Sequence, residues 1–218
     1  MPPKNWLGND IVSLMSPDSA GKSGDERFIG RVCTPGERER VRASAHPDAA
    51  LWALWAAKEA AFKAVVKYRP GTVFSPSSFV VTEDLDGTGG SVAHADLRVR
   101  VRWEMTTEWV HCIALLNEHG TPPAWSDVPS GVARLTAEED AGLPGAAAAS
   151  RQVRALAKRL LAEAGIAGAE IVRDPLDDSR WGPPFVLSPT LRRVDVSLSH
   201  DGDWIAAAIY QEADLAQH

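Results

Sequence analysis

Three short stretches, spread along almost the whole chain, hold the residues able to do chemistry. Asp10 lies in Gly8-Asn-Asp10-Ile-Val, Glu59 and Lys63 lie in Trp55-Ala-Ala-Lys58-Glu59-Ala-Ala-Phe62-Lys63, and a hydroxyl–imidazole pair lies in Ser197-Leu-Ser199-His200-Asp201. On a helix, residues four apart share a face, so Glu59 and Lys63 project together. Hard divalent cations take carboxylate oxygens and keep several waters, so Asp10 with Glu59 is a candidate magnesium site. A lysine beside a metal-bound phosphate acts as a compact neutralising charge, the role open to Lys63. Ser199 and His200, at the end of a strand, suit a phosphate contact.

Each residue also has a plainer reading. Asp10 suits a loop cap at a strand end. Glu59 and Lys63 suit a solvated ion pair worth roughly a few tenths of a kcal/mol. His200 suits a turn. A serine hydrolase is disfavoured, because neighbours on a strand face opposite ways and no Gly-x-Ser-x-Gly elbow exists. His111 and Cys112 read as core residues without zinc spacing. Neither a P-loop nor a Gly-rich dinucleotide fingerprint is present.

These residues must be positioned by elements with readable signals. Leu7 to Leu14 reads as a buried strand carrying Asp10. Residues 25–32 read as a short amphipathic helix, and Thr34-Pro35-Gly-Glu37 marks a helix start with cap, proline and N3 glutamate. Pro47 to Tyr68 is the longest helix of the first half, with apolar residues at helical spacing and a stop at Arg69-Pro70-Gly71. Ser78 to Thr82, His94 to Trp103 and Trp109 to Leu116 read as strands of an antiparallel meander. Residues 118–130 are rich in breakers and form a linker. A strand at Gly131–Leu135, a helix at about Gly145–Ala164, and strands near Glu170, Phe185, Val194–Ser199 and Trp204–Tyr210 follow. The expected fold is α+β, with two lobes at 1–120 and 131–218.

Composition bounds the partners. The 218 residues are 44% hydrophobic and 24% charged, with a net charge of −6, so a general nucleic-acid surface is not expected. Two cysteines, Cys33 and Cys112, give no disulfide framework. No apolar run approaches the roughly 20 residues of a membrane helix, and Met1–Trp6 lacks a signal-peptide core. The expectation is a reduced, cytoplasmic protein without membrane contact. Arg27 and Arg31 stand one helical turn apart, followed by Arg38, Arg40 and Arg42, while Arg151, Arg154 and Lys158 form a second basic stripe. Such stripes are solvated faces or docking sites for an acidic partner.

Taken together, the motifs resemble the 4′-phosphopantetheinyl transferase superfamily. Gly8-Asn-Asp10-Ile-Val is similar to its Gly-x-Asp-Ile-Val strand, and Trp55-x-x-Lys58-Glu59-x-x-x-Lys63 to its Trp-x-x-Lys-Glu-x-x-x-Lys helix. Val196-Ser-Leu-Ser199-His200-Asp201 is similar to its Ser-His strand, and Arg27-Phe28…Arg31…Thr34-x-x-Glu37 to a segment of holo-acyl-carrier-protein synthases. The resemblance implies a monomeric pseudo-dimer of two similar α+β lobes, each a long helix on a small antiparallel sheet, with the active cleft between them. Here the Asp10 and Glu59 lobe, on the metal and carrier side, precedes the Ser-His lobe on the coenzyme A side, the reverse of the order in larger members.

The resemblance also implies an activity and roles. The 4′-phosphopantetheine arm of coenzyme A would pass to a serine of an apo acyl or peptidyl carrier protein of fatty acid, polyketide or peptide synthesis, releasing 3′,5′-ADP. Asp10 and Glu59 would hold Mg2+, and Glu59 and Lys63 would be catalytic. Lys63, Arg180, Pro184, Ser199 and His200 would contact coenzyme A, and Arg27 and Arg31 would meet the carrier. Two departures stand out. Val12 replaces the second acid of the larger members, and Arg180-Trp-Gly182-Pro183-Pro184 replaces a Gly-Lys-Pro whose lysine faces a coenzyme A phosphate. They leave open a degenerate module that binds carrier protein or coenzyme A without chemistry. A magnesium-dependent phosphohydrolase would use the acids but not Lys63 or the Ser-His strand.

Overall fold

The structure, a computed structural model, describes residues 5–84, 87–118, 122–136, 145–177, 181–188 and 194–212. The chain begins with β1 (Asn5–Ser13), buried along its whole length. Helix α1 (Glu26–Val32) starts where the Asp25 carboxylate accepts the N–H groups of Arg27 and Phe28. Helix α2 (Pro35–Ala43) opens on the reciprocal Thr34–Glu37 capping box expected from the sequence. Helix α3 (Pro47–Tyr68) buries Leu51, Leu54, Ala57, Ala60, Ala61, Ala64 and Val65. Its alanines bring the backbone close to the sheet.

Strands β2 (Val80–Glu83), β3 (Gly89–His94), β4 (Leu97–Met105) and β5 (Trp109–Asn117) form the meander, and β1 joins it beyond β5, giving the order β1-β5-β4-β3-β2. Read as one strand, His94 to Trp103 spans the last residue of β3, a two-residue turn and most of β4. Its turn at Ala95-Asp96 puts Ala95 at φ 51, a left-handed position without the Asn-Gly signature that marks such turns. The inner face of the sheet, with Val81, Val92, Val99, Val101 and Val110, packs on α3.

In the second lobe β6 (Ser130–Arg134), α4 (Gly145–Glu163), β7 (Glu170–Val172), β8 (Phe185–Leu187), β9 (Val194–Asp201) and β10 (Trp204–Gln211) follow. The order β6-β10-β9 repeats β1-β5-β4, and α4 covers it as α3 covers the first sheet. The molecule is thus an α+β pseudo-dimer. Leu7, Ile113 and Leu115 of one sheet pack against Ala208 and Tyr210 of the other, and Ile11 against Ala206. No described helix is long and apolar enough to cross a membrane.

Gly8 sets the spacing of β1 and α3. A Cβ there would lie 1.9 Å from the Ala60 carbonyl oxygen, backbone that cannot step aside without moving the helix. Gly8→Ala should therefore cost on the order of 1–3 kcal/mol in urea unfolding. An unchanged midpoint would mean that helix and strand do not meet this closely.

Candidate active site

The seam between the lobes is built from side chains rather than a continuous ladder. β1 is the edge of its sheet, and its outward N–H groups need acceptors. Residues of β9 at every second position supply them. The Leu7 N–H donates to Asp195 Oδ2 at 2.7 Å, Asn9 to Ser197 Oγ at 2.8 Å and Ser13 to Asp201 Oδ2 at 2.8 Å, each pair 188 positions apart. One rung differs. The Ile11 N–H donates to the Asp10 carboxylate, and Ser199 Oγ, buried, has no partner among the described residues.

The outward carbonyls of β1 are met from α3. Lys63 Nζ donates to Asn9 O at 2.9 Å and Asp10 Oδ1 at 2.8 Å. One turn on, Lys67 Nζ donates to Leu7 O at 2.7 Å, Asp195 Oδ1 at 2.6 Å and Val196 O at 2.8 Å. Glu59, Lys63 and Lys67, four apart, thus follow the seam.

Three cavities open beside this row. The first, about 410 Å³, is lined by the acids Asp10, Glu59 and Asp201 and by the aromatic rings of Phe28, Trp52 and Trp55. The second, about 300 Å³, gathers Lys63, Arg154, Arg173, Ser199 and His200. Asp10 and His200 line both. The third and largest, about 740 Å³, lies past Lys67 and Asp195 and is walled by Trp6, Pro184, Phe185 and Tyr210.

The charges in the first two cavities are unbalanced in opposite senses. Burial, and then the charge of Asp10, push Glu59 up to about 7, while Lys63 pulls the other way. Burial also raises Asp10, against Lys63. Two hard carboxylates share one ammonium, and a divalent cation fits that donor set. Asp10 and Glu59 would hold it. Among the described residues no three His, Cys, Asp or Glu are placed to hold one metal ion, so water or ligand oxygens would complete the shell. In the basic cavity, burial and then the charge of Arg154 lower Arg173, and the Ser199 hydroxyl, without a partner among the described residues, is a spare donor.

The sequence-predicted residues divide clearly. Asp10, Glu59, Lys63, Ser199 and His200 are brought together. Pro184 is not with them, but lines the large cavity, and Arg180 lies outside the described residues. Arg27 and Arg31 are exposed on α1, whose Phe28 turns inward against Trp52 and Trp55 at the acidic cavity. Lys58, the neighbour of Glu59 in sequence, points away from the site into the core and pairs with Glu37 at 2.7 Å. Two basic-cavity residues were not read from the sequence as part of this site. Arg154 sits in the α4 stripe, and Arg173 follows β7 without any motif.

Residues 7–114 match the family model described as the 4′-phosphopantetheinyl transferase superfamily. The chain belongs to this superfamily. Among solved structures similar to this member are three holo-acyl-carrier-protein synthases. That of Bacillus anthracis, in complex with CoA (3′,5′-ADP), is 23% identical, with TM-score 0.43, over 52% of this chain and 96% of that one. The Chronobacterium ammoniagenes complex with CoA is 18% identical, with TM-score 0.44, over 54% and 100%. That of Thermotoga maritima is 14% identical, with TM-score 0.41, over 84% of each. No curated protein matches the sequence.

Proposed function

We propose that this superfamily member moves the 4′-phosphopantetheine arm of coenzyme A onto a serine of an apo carrier protein, releasing 3′,5′-ADP. The observation that carries this reading is the contact of an acidic and a basic cavity across Asp10 and His200, at the seam of two lobes. A nucleotide with a diphosphate and a separate 3′-phosphate presents anions to both.

The basic cavity takes the 3′-phosphate through Ser199, His200, Arg154 and Arg173. These arginines supply the charge that Pro183 lacks, which weighs against a degenerate module. The aromatic wall of the large cavity, with Trp6, Pro184 and Phe185, suits the adenine. Magnesium held by Asp10 and Glu59 would offset the charge of the diphosphate. Phosphoryl transfer depends on positioning and charge neutralisation. The serine Oγ attacks the phosphorus that bears pantetheine, the bond from that phosphorus to the bridging oxygen breaks, and 3′,5′-ADP leaves. Glu59, directly or through water, takes the serine proton, and Lys63 steadies the phosphates. Arg27 and Arg31, exposed beside the aromatic mouth, meet acidic residues of the carrier. With both halves of the cleft in one chain, a monomer suffices.

Incubation with coenzyme A, magnesium and a panel of apo carriers should add the prosthetic arm to at least one carrier, read by intact mass. Arg173→Ala should weaken coenzyme A binding about ten-fold, the worth of one charged hydrogen bond. A panel left wholly unmodified would end the reading, and undiminished coenzyme A affinity in Arg173→Ala would remove the 3′-phosphate assignment.

A further inference from the structure

We propose, on the functional reading above, that Lys63 couples the two cavities: a cation beside Asp10 and Glu59 releases Lys63 to an anion held by Ser199, Arg154 and Arg173. Asp10 faces both cavities, whereas Glu59 lines only the acidic one and Lys63 only the basic one. Lys63 Nζ now spends two of its three N–H donors on Asp10 Oδ1 and Asn9 O. It is the counter-ion of Asp10 from the anion's side of the wall.

A divalent cation competes for that same carboxylate and repels the ammonium. Lys63 is placed to respond. Its side chain is 29% exposed, against 9% for Lys67, which three acceptors fix, and 0% for Lys58 inside the core. An anion in the basic cavity, in turn, draws Lys63 from Asp10 and leaves the carboxylate to the cation. Each ligand therefore raises affinity for the other, by the same factor in both directions. The two guanidiniums and the Ser199 hydroxyl hold the anion without Lys63, so the lysine adds coupling rather than the site itself.

Adenosine 3′-monophosphate is the probe, because it has no diphosphate with which to reach the acidic cavity. The full chain is titrated with it by calorimetry, with chelator or with magnesium at matched ionic strength. Magnesium occupancy is followed separately by the fluorescence of Trp52 and Trp55, which line the acidic cavity. The expected result is about five-fold tighter binding, or more, with magnesium, and an equal shift of the magnesium midpoint by the nucleotide. Lys63→Met should still bind the nucleotide with that factor reduced to about one, and Asp10→Asn, which removes the shared acceptor, should lose the coupling as well. Equal nucleotide affinity with and without magnesium, while the tryptophans respond to the metal, would overturn the coupling and leave the functional reading standing. Coupling that persists in Lys63→Met would overturn the role of the lysine. Binding of neither probe would overturn both.

Discussion

Glu59→Gln should lower carrier modification by roughly 100-fold or more, the usual worth of a positioned proton acceptor, and yet make the metal-free protein more stable in mild base. The two effects share a cause. In the folded chain Glu59 keeps its proton up to about pH 7, against an ordinary value of 4.5. Between those values the folded state binds more protons than the unfolded one, so stability falls as pH rises from about 4.5 to about 7. Above that window the full penalty applies, about 1–3 kcal/mol for a shift of this size at a partly buried site. Glutamine escapes it. The variant should therefore unfold at higher urea than the parent at pH 8, match it at pH 4, and lose its advantage when magnesium is added. A variant less stable at pH 8, or a difference that ignores pH, would contradict the placement of Glu59 against Asp10.

The second large effect lies away from the cavities. Lys58 Nζ meets Glu37 Oε2 at 2.7 Å and Pro76 O at 3.1 Å, with the paired side chains 0% and 1% exposed. Burial lowers the lysine, and Glu37 resists that shift. Glu37 also accepts the N–H groups of Thr34 and Val81, each at 2.8 Å, so one carboxylate ties α2, α3 and β2 together. Lys58→Ala strands a buried carboxylate, and about 3–5 kcal/mol should be lost in urea unfolding. Lys58→Met combined with Glu37→Met should recover only part of that loss, because the two N–H groups stay unanswered. A loss below about 1 kcal/mol for Lys58→Ala would show that the pair is not sealed from water.

Much of the site was legible because its residues carry local signals. Asp10 breaks an apolar strand, Glu59 and Lys63 are four apart on a helix, and Ser199-His200 closes a strand. The failures are equally local. Helical spacing cannot tell an inward lysine from an outward one when alanines surround it, and Lys58 is flanked by Ala56, Ala57, Ala60 and Ala61. Its partner Glu37 already had a complete explanation as a cap. Arg173 owes its place to a cavity shared with Asp10, Lys63 and Ser199, residues that no short window of sequence contains together. The β3–β4 hairpin was hidden by a turn with alanine where glycine or asparagine is usual. The turn obeys the packing of its strands rather than its own preference.

Asn5 opens β1 where Tyr210 nears the end of β10, and its amide donates to the Tyr210 hydroxyl at 3.2 Å. The other join links β5 to β6. A circular permutant, spliced from β10 into β1 and cut between β5 and β6, would present the lobes in reverse order with every wall of the three cavities retained. Carrier modification by this permutant equal to that of the parent would show the cleft to be indifferent to which half leaves the ribosome first.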